Sequence, residues 1–324
     1  MNNIRVLVTG ASGYVGSHVC KELKRQGCEV LGLDRVSRPH TFQHMDHFFE
    51  MDYASPEALT MISDIVPHVI VHCAGTSLVG PSMSNPMEYY FNNVAKTAEL
   101  LNHLRYMEDA PGIIFSSSAS VYGRPQQAEP ITEGQPFNTL SPYGTSKAMI
   151  ELMLNDVSRA HGIKSVSLRY FNACGADSEH ADLGQEPGAA HLIARLLEAK
   201  LKDEPFTLNG RDYDTPDGTC IRDYVHVDDL AKAHWAAIAY LLAGGDTVQL
   251  NLGSGIGHSN LDIINEVIAQ VGDIEIINGP RRAGDPDRLI ANISLARKLL
   301  DWEPMYSSMS EIISSSWRWY NKLP

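Results

Sequence analysis

Residues 4–16 read I-R-V-L-V-T-G-A-S-G-Y-V-G, and they constrain the fold more than any other stretch. A short apolar run ends in a turn carrying Gly10, Gly13 and Gly16, and helical periodicity starts at about residue 14. A strand that passes at once into a helix through such a turn belongs to a parallel sheet with helices on both faces. The alternation continues. Apolar runs recur at 29–33, 68–73, 112–116 and 165–169, with helix-like segments at about 14–26, 55–63, 84–107 and 142–161. The expected class is α/β, a doubly wound parallel sheet whose ligands bind at the carboxyl ends of its strands. After about residue 172 the rhythm breaks at the polar loop A-D-S-E-H-A-D-L-G-Q-E-P-G, followed by a helix near 189–203. We therefore expect a first domain over 1–173 and a smaller mixed α/β domain over 174–324. The segment at about 221–252 is expected to pack back on the first.

The glycine turn sits where a Rossmann-type fold binds a dinucleotide. Its glycines let a pyrophosphate approach the helix N-terminus closely. Asp34 ends the second strand eighteen positions after Gly16, the place for an acid that binds the adenosine ribose. A carboxylate there repels a 2′-phosphate and favours NAD over NADP, although the neighbouring Arg35 works against that distinction. The third run ends F-E-M-D-Y, where Asp52 is placed to accept from the adenine amino group. The fourth ends H-C-A-G-T-S, where the small residues Cys73, Ala74 and Gly75 let a cofactor cross the strand ends; Cys73 and Ala74 read equally well as core. The fifth ends in Ser116, Ser117 and Ser118. The first two read as a polar turn, and Ser118 lies beside the expected nicotinamide.

Residues 141–147 read S-P-Y-G-T-S-K and place Tyr143 one helical turn before Lys147. A free phenol, with a pKa of about 10, is a poor base at neutral pH. One nearby cation lowers an acid's pKa by about 1–3 units, so a single ammonium is marginal. A second positive charge, such as an oxidised nicotinamide, would suffice.

Composition narrows the partners. The chain has 324 residues, is 44% hydrophobic and 20% charged, and carries a formal net charge of −13. That balance argues against a nucleic-acid or anionic-membrane binder. Its five cysteines are odd in number and form no C-x-x-C, which suits a reducing compartment rather than disulfides or zinc. No metal is expected. The N-terminus has no signal-peptide layout and no apolar run is long enough for a bilayer, so a cytoplasmic location is expected. Asp228 and Asp229 are expected to cap a helix, and His226 to be a core or hydrogen-bonding histidine.

The glycine triplet, Ser118 and Tyr143-x-x-x-Lys147 together resemble the extended short-chain dehydrogenase/reductases. N-N-V (92–94), S-S-S-A-S-V-Y-G (116–123), L-R-Y-F-N (168–172), D-G-T-C-I-R-D-Y-V-H-V-D-D-L (217–230) and P-R-R-A-G-D-P (280–286) extend the likeness to the UDP-glucose 4-epimerases, from residue 4 to about residue 320. The resemblance implies tightly held NAD and a UDP-sugar substrate, with oxidation at C4 and re-reduction from the other face. Tyr143 would move the proton, Ser118 would bond the reacting oxygen, and Lys147 would hold the nicotinamide ribose and keep Tyr143 acidic. The implied cofactor contacts also take in Tyr14, Val15, Tyr53, Ser77, Asn92, Ser116 and Tyr170. Asn172, His191, Arg222, Tyr224, Arg282, Asp285 and Leu289 would meet the substrate, with the arginines on the diphosphate.

Three departures stand out. Ser77 and His191 replace a lysine and an asparagine of some members, and Leu289 replaces a tyrosine, which suggests room for N-acetylated sugars. A 4,6-dehydratase would carry an acidic pair where this chain has Ala119 and Ser120. A 4-epimerase of UDP-glucuronate or a UDP-pentose, a silent NAD-binding protein and a dehydrogenase releasing NADH are the remaining alternatives. A homodimer is expected through the helices near 84–107 and 142–161, and S-W-R-W-Y is expected to dock on the body of the protein.

Overall fold

The structure is a computed structural model that describes residues 4–125, 130–281 and 286–323. Its first part runs β1 (Arg5–Thr9), α1 (Tyr14–Arg25), β2 (Glu29–Asp34), β3 (His47–Glu50), α2 (Pro56–Ile65) and β4 (Val69–His72). Two short helices, α3 (Val79–Ser84) and α4 (Pro86–Tyr89), lead through a π-helical turn (Tyr90–Ala95) into α5 (Lys96–Leu104). Then come β5 (Gly112–Ser118), α6 (Pro142–His161) and β6 (Ser165–Tyr170). The second part runs β7 (Asn172–Cys174), α7 (Leu192–Lys202), β8 (Phe206–Asn209), β9 (Ile221–His226), α8 (Val227–Leu242) and β10 (Val248–Leu252). It ends with β11 (Gly257–Ser259), α9 (Asn260–Val271), β12 (Ile276–Gly279), β13 (Arg288–Leu289), α10 (Ser294–Leu300) and α11 (Met309–Lys322).

Seven parallel strands form the main sheet in the order β10-β6-β5-β4-β1-β2-β3. The order reverses at β1, so the crevice between β1 and β4 is the switch point where ligands of such sheets bind. Val6, Val8, Ile70, Val71, Ile114 and Phe115 are fully buried, as strands covered on both faces require. Three paths pair with β9 in a second small sheet: β7, β11 and β13. A separate core of Ile193, Leu196, Leu197, Val267, Ile312 and Ile313 joins α7, α9 and α11.

Helix α6 begins and ends on strong local signals. Ser141 caps α6 by accepting from the Gly144 N–H, Pro142 opens the first turn, and Gly162 closes it with φ 74°. Other expectations need correction. The helix expected over 84–107 is three pieces, because Pro86 starts a new helix after α3 and the ladder shifts to a π turn at Tyr90–Ala95. Ser116 and Ser117 are not a polar turn; β5 extends through Ser118 because both hydroxyls find buried partners. Of 221–252, α8 packs on α1 and β10 joins the main sheet, but β9 stays with the second sheet. His226, not Asp228 or Asp229, caps α8, its Nδ1 accepting from the Asp228 N–H. Buried Asp229 instead accepts from the Met305 and Tyr306 N–H groups. The C-terminal helix docks on the body, where Trp319 Nε1 donates to the Gln185 carbonyl at 2.8 Å. Among the described residues no helix is long and apolar enough to cross a membrane.

Candidate active site

The glycine turn has no space for side chains. Gly10 has φ +71°, and a Cβ there would lie 2.7 Å from the Ala74 nitrogen. A Cβ on Gly16 would lie 2.1 Å from the Gly10 carbonyl oxygen. Gly13 caps α1 with no side chain to accept from the N–H groups of the first helical turn. Asp34 is tied to this turn: its carboxylate accepts from the Ser12 N–H at 3.0 Å and the Val36 N–H at 3.1 Å. Ser12 Oγ is buried without a hydrogen-bond partner in the protein. A side-chain-free cradle, an open helix N-terminus, an orphaned hydroxyl and a fixed carboxylate fit a dinucleotide.

The neighbouring positions divide between exposed and structural groups. Asp52 bonds the Lys96 ammonium, lies 3.8 Å from Arg35, and accepts from the Ala54 N–H. Burial pushes its carboxyl up, but the Lys96 bond and the Ala54 N–H outweigh that and leave it below the usual value. Tyr53 is buried and donates to the Asn92 carbonyl at 2.9 Å, so its hydroxyl braces the π turn. Asn92 Nδ2 donates to Thr76 Oγ1 at 3.3 Å. Gly75, with φ +145°, and Ser77 are exposed past the end of β4, with half-buried Ala74 before them. Ser116 Oγ lies 3.1 Å from Cys73 Sγ and 2.8 Å from the Tyr170 hydroxyl, which also meets His234 Nε2 at 2.6 Å. Cys73 therefore has a partner beneath the crevice, and burial pushes its thiol up to about 11.

Tyr143 and Lys147 lie one turn apart on α6, both buried. Lys147 Nζ donates to the Ser116 carbonyl at 2.8 Å and lies 4.8 Å from the Phe115 ring centre and 5.8 Å from that of Tyr143. Burial lowers Lys147 to about 8, against the charges of Cys73 and Glu151, which raise it. Burial raises Tyr143 above the ordinary phenol value, opposed by a hydrogen bond with Ser118. Burial thus outweighs the Ser118 bond, in keeping with the expectation that one ammonium is marginal for lowering this phenol. The cause is desolvation. Ser118 Oγ donates to Ser120 Oγ at 3.1 Å.

A cleft of about 800 Å³ opens beside this group. Asn172, His191, Arg222, Tyr224 and Leu289 all line it, together with Ala119, Ser120 and Ser141, which flank Ser118 and Tyr143 in sequence. Asn172 Nδ2 donates to the Asp223 carbonyl at 2.9 Å, and His191 Nδ1 lies 3.1 Å from Gln185 Nε2. Burial raises the Tyr224 phenol strongly. Arg282 and Asp285 lie outside the described residues. Among the described residues no cluster of metal-ligating side chains occurs.

Sequence reasoning missed several residues that build this site. Lys96 has no motif; only its spacing of four after Asn92 hinted at a shared helix face. Asn93 is buried at the π turn: its Oδ1 accepts from the Thr76 N–H at 2.8 Å and its Nδ2 donates to Ser146 Oγ at 3.0 Å. Ser146 Oγ in turn donates to the Tyr143 carbonyl at 2.7 Å, so Asn93 links the end of β4 to the helix bearing Tyr143. Glu151 extends the face of Tyr143 and Lys147 by one turn and pairs with Arg169 at 2.6 Å.

Residues 6–253 match the family described as the NAD dependent epimerase/dehydratase family. The UDP-glucose 4-epimerase of Lactobacillus helveticus is 38% identical over 99% of this chain and 98% of its own. The crystal structure of UDP-glucose 4-epimerase from Brucella ovis in complex with NAD is similar with a TM-score of 0.92 and 37% identity, covering 98% of each chain. That from Bifidobacterium longum in complex with NAD+ and UDP gives 0.89 at 36% identity, again over 98% of each. Matched over residues 6–253 by the family and over nearly its whole length by these proteins, the chain belongs to the NAD dependent epimerase/dehydratase family, among its UDP-glucose 4-epimerases.

Proposed function

We propose that this chain interconverts UDP-glucose and UDP-galactose, with NAD held in the site from one turnover to the next. The observation that carries the reading is one cleft shared by the flanks of Ser118 and Tyr143 and by Asn172, Arg222 and Tyr224.

The glycine turn, Asp34, the end of β4 and Lys147 would hold the cofactor. Bound NAD would supply the hydride acceptor for oxidation at C4 of the sugar and the donor for its re-reduction. Tyr143 accepts the proton of the 4-hydroxyl as that carbon is oxidised and returns it when the carbon is reduced. Ser118 bonds the same oxygen and orients it. Lys147, buried but charged below about pH 8, holds the ribose hydroxyls and adds positive potential beside the phenol. Asn172, Arg222 and His191 grip the diphosphate while the 4-keto sugar turns over and presents its other face. Binding energy goes to the nucleotide, and the sugar stays loosely held.

In the same reading, residues 1–173 with α8 and β10 form the cofactor domain and the remainder of 174–324 the UDP-sugar domain. Leu289, lining the cleft with a side chain smaller than tyrosine, supports acceptance of N-acetylated UDP-sugars as well. Met87, Phe91, Met149 and Leu152 are exposed apolar residues on α4, the π turn and α6, which supports a homodimer through this face. Cys20, Cys28, Cys73, Cys174 and Cys220 are all free thiols, in keeping with a cytoplasmic protein.

Tyr143→Phe tests the reading. The variant is expected to bind NAD and UDP as the parent does and to lose epimerisation by about 10²-fold or more. Turnover within a few-fold of the parent would remove Tyr143 from the chemistry.

A further inference from the structure

One fully buried carboxylate lies on the second sheet between two cleft residues. Asp223 follows Arg222 and precedes Tyr224 on β9, and its side chain has no solvent exposure. Its Oδ1 accepts from the Ser254 N–H at 2.6 Å and the Ser254 hydroxyl at 2.8 Å. Its Oδ2 accepts from the Gly255 N–H at 3.0 Å and the Ala291 N–H at 3.1 Å. Its own carbonyl accepts from Asn172 Nδ2 at 2.9 Å. These donors come from three separate segments. Ser254 and Gly255 follow β10, the edge strand of the main sheet. Ala291 follows β13, which carries Leu289 opposite Arg222. Asn172 belongs to β7, where it stands opposite Tyr224. Gly253 is shaped to this arrangement: a Cβ there would lie 2.4 Å from Asp223 Oδ2.

A buried carboxylate is costly without donors, and here both oxygens are satisfied. The chain gains from this a fixed junction. The main sheet, which carries Ser118, and the strands that carry Asn172, Arg222, Tyr224 and Leu289 are tied at one side chain. We infer that Asp223 is a positioning residue for the UDP-sugar, setting the nucleotide-binding side chains in register with the catalytic sheet without touching substrate itself. The inference rests on the proposed reading of the cleft as a UDP-sugar site. Asp223 stands apart from the glycine turn and from Tyr143, so its loss should weaken nucleotide binding and leave the cofactor and the chemical step in place.

The test compares Asp223→Asn with the parent, both as purified with their bound NAD. UDP affinity is read by calorimetry, bound NAD by absorbance after release, and KM and kcat with UDP-galactose. An amide at this position turns one acceptor into a donor facing N–H groups. Displacement of Asn172, Arg222 and Leu289 from their register is expected to raise the UDP dissociation constant and KM by about 10- to 100-fold. The kcat and the NAD content are expected to stay within a few-fold. Gly253→Ala is the second variant, for the case in which Asp223→Asn does not fold. It presses a methyl group on Oδ2 while keeping the charge, and the same split between KM and kcat is expected. A parent that binds no UDP would sink the reading of the cleft and the inference with it. A parent that binds UDP, with variants that bind it equally well or that lose NAD, kcat and affinity together, would overturn the inference alone.

Discussion

Substitution of Glu151 by glutamine removes one charge from the most deeply buried ion pair in the catalytic half. Glu151 is fully buried and Arg169 nearly so. The guanidinium meets both carboxylate oxygens, Nε to Oε1 at 3.0 Å and one terminal nitrogen to Oε2 at 2.6 Å. The other terminal nitrogen donates to the Tyr122 hydroxyl at 2.7 Å and the Glu133 carbonyl at 3.0 Å. Glu151→Gln therefore leaves a cation in place, held by neutral acceptors and shielded from water. Removing one partner of such a pair costs about 3–5 kcal/mol, whereas replacing both with apolar groups of similar volume is often nearly neutral. Urea unfolding of the NAD-loaded protein is expected to show that loss for Glu151→Gln and substantial recovery in Glu151→Gln/Arg169→Met. A second readout follows from Lys147, which Glu151 helps to keep charged. The alkaline limb of the activity profile is expected to move to lower pH in the single variant. A single variant within about 1 kcal/mol of the parent, or a double variant whose losses simply add, would refute the reasoning.

Gly16→Ala places a methyl group on the Gly10 carbonyl oxygen, and the purified variant is expected to lose most of its bound NAD, read by absorbance after denaturation. Asp177 gives a pH dependence. Burial pushes its carboxyl up, but the Lys21 bond and the Asp182 and Glu179 N–H groups outweigh it and hold the group at about 2. A folded value below the unfolded ~3.9 means a contribution fully present above about pH 4 and lost as pH falls toward about 2. Asp177→Asn is expected to cost about 2 kcal/mol at neutral pH and to flatten the unfolding free energy across that acid window.

The parts of the fold legible in the sequence are those with strong local signals. The strand–glycine–helix passage at 4–16 and the capped helix at 142–161 lie where expected because caps, prolines and apolar periods act over a few residues. The break at 84–104 was hidden. A π turn shifts backbone partners by one residue, and side-chain periodicity hardly registers it. The extension of β5 through Ser117 was hidden for a different reason: its hydroxyl is satisfied by Glu151, 34 positions away. The cap of α8 turned on where the helix starts: it begins at Val227, so His226 stands at the cap and both aspartates in the first turn, and His226 caps through Nδ1 while its Nε2 meets Ser315 Oγ at 2.9 Å. Asp228 accepts from Ser178 and Asp229 from the Ser307 hydroxyl, partners that lie far off in sequence. Asp223 looked like one more acid in R-D-Y until the chain brought three segments to it. The placing of Tyr143 and Lys147 one helical turn apart was legible because the cap at Ser141 and the period after it fix α6. Arg282 and Asp285 lie outside the described residues.

The most direct measurement uses the purified protein with no added cofactor. UDP-galactose is supplied, and the products are separated by chromatography while absorbance near 340 nm follows any free NADH. The expected result is conversion to an equilibrium mixture with UDP-glucose, sustained over many turnovers, with no NADH released. NAD found bound in the protein without conversion of UDP-galactose, or NADH appearing in proportion to sugar consumed, would contradict the account.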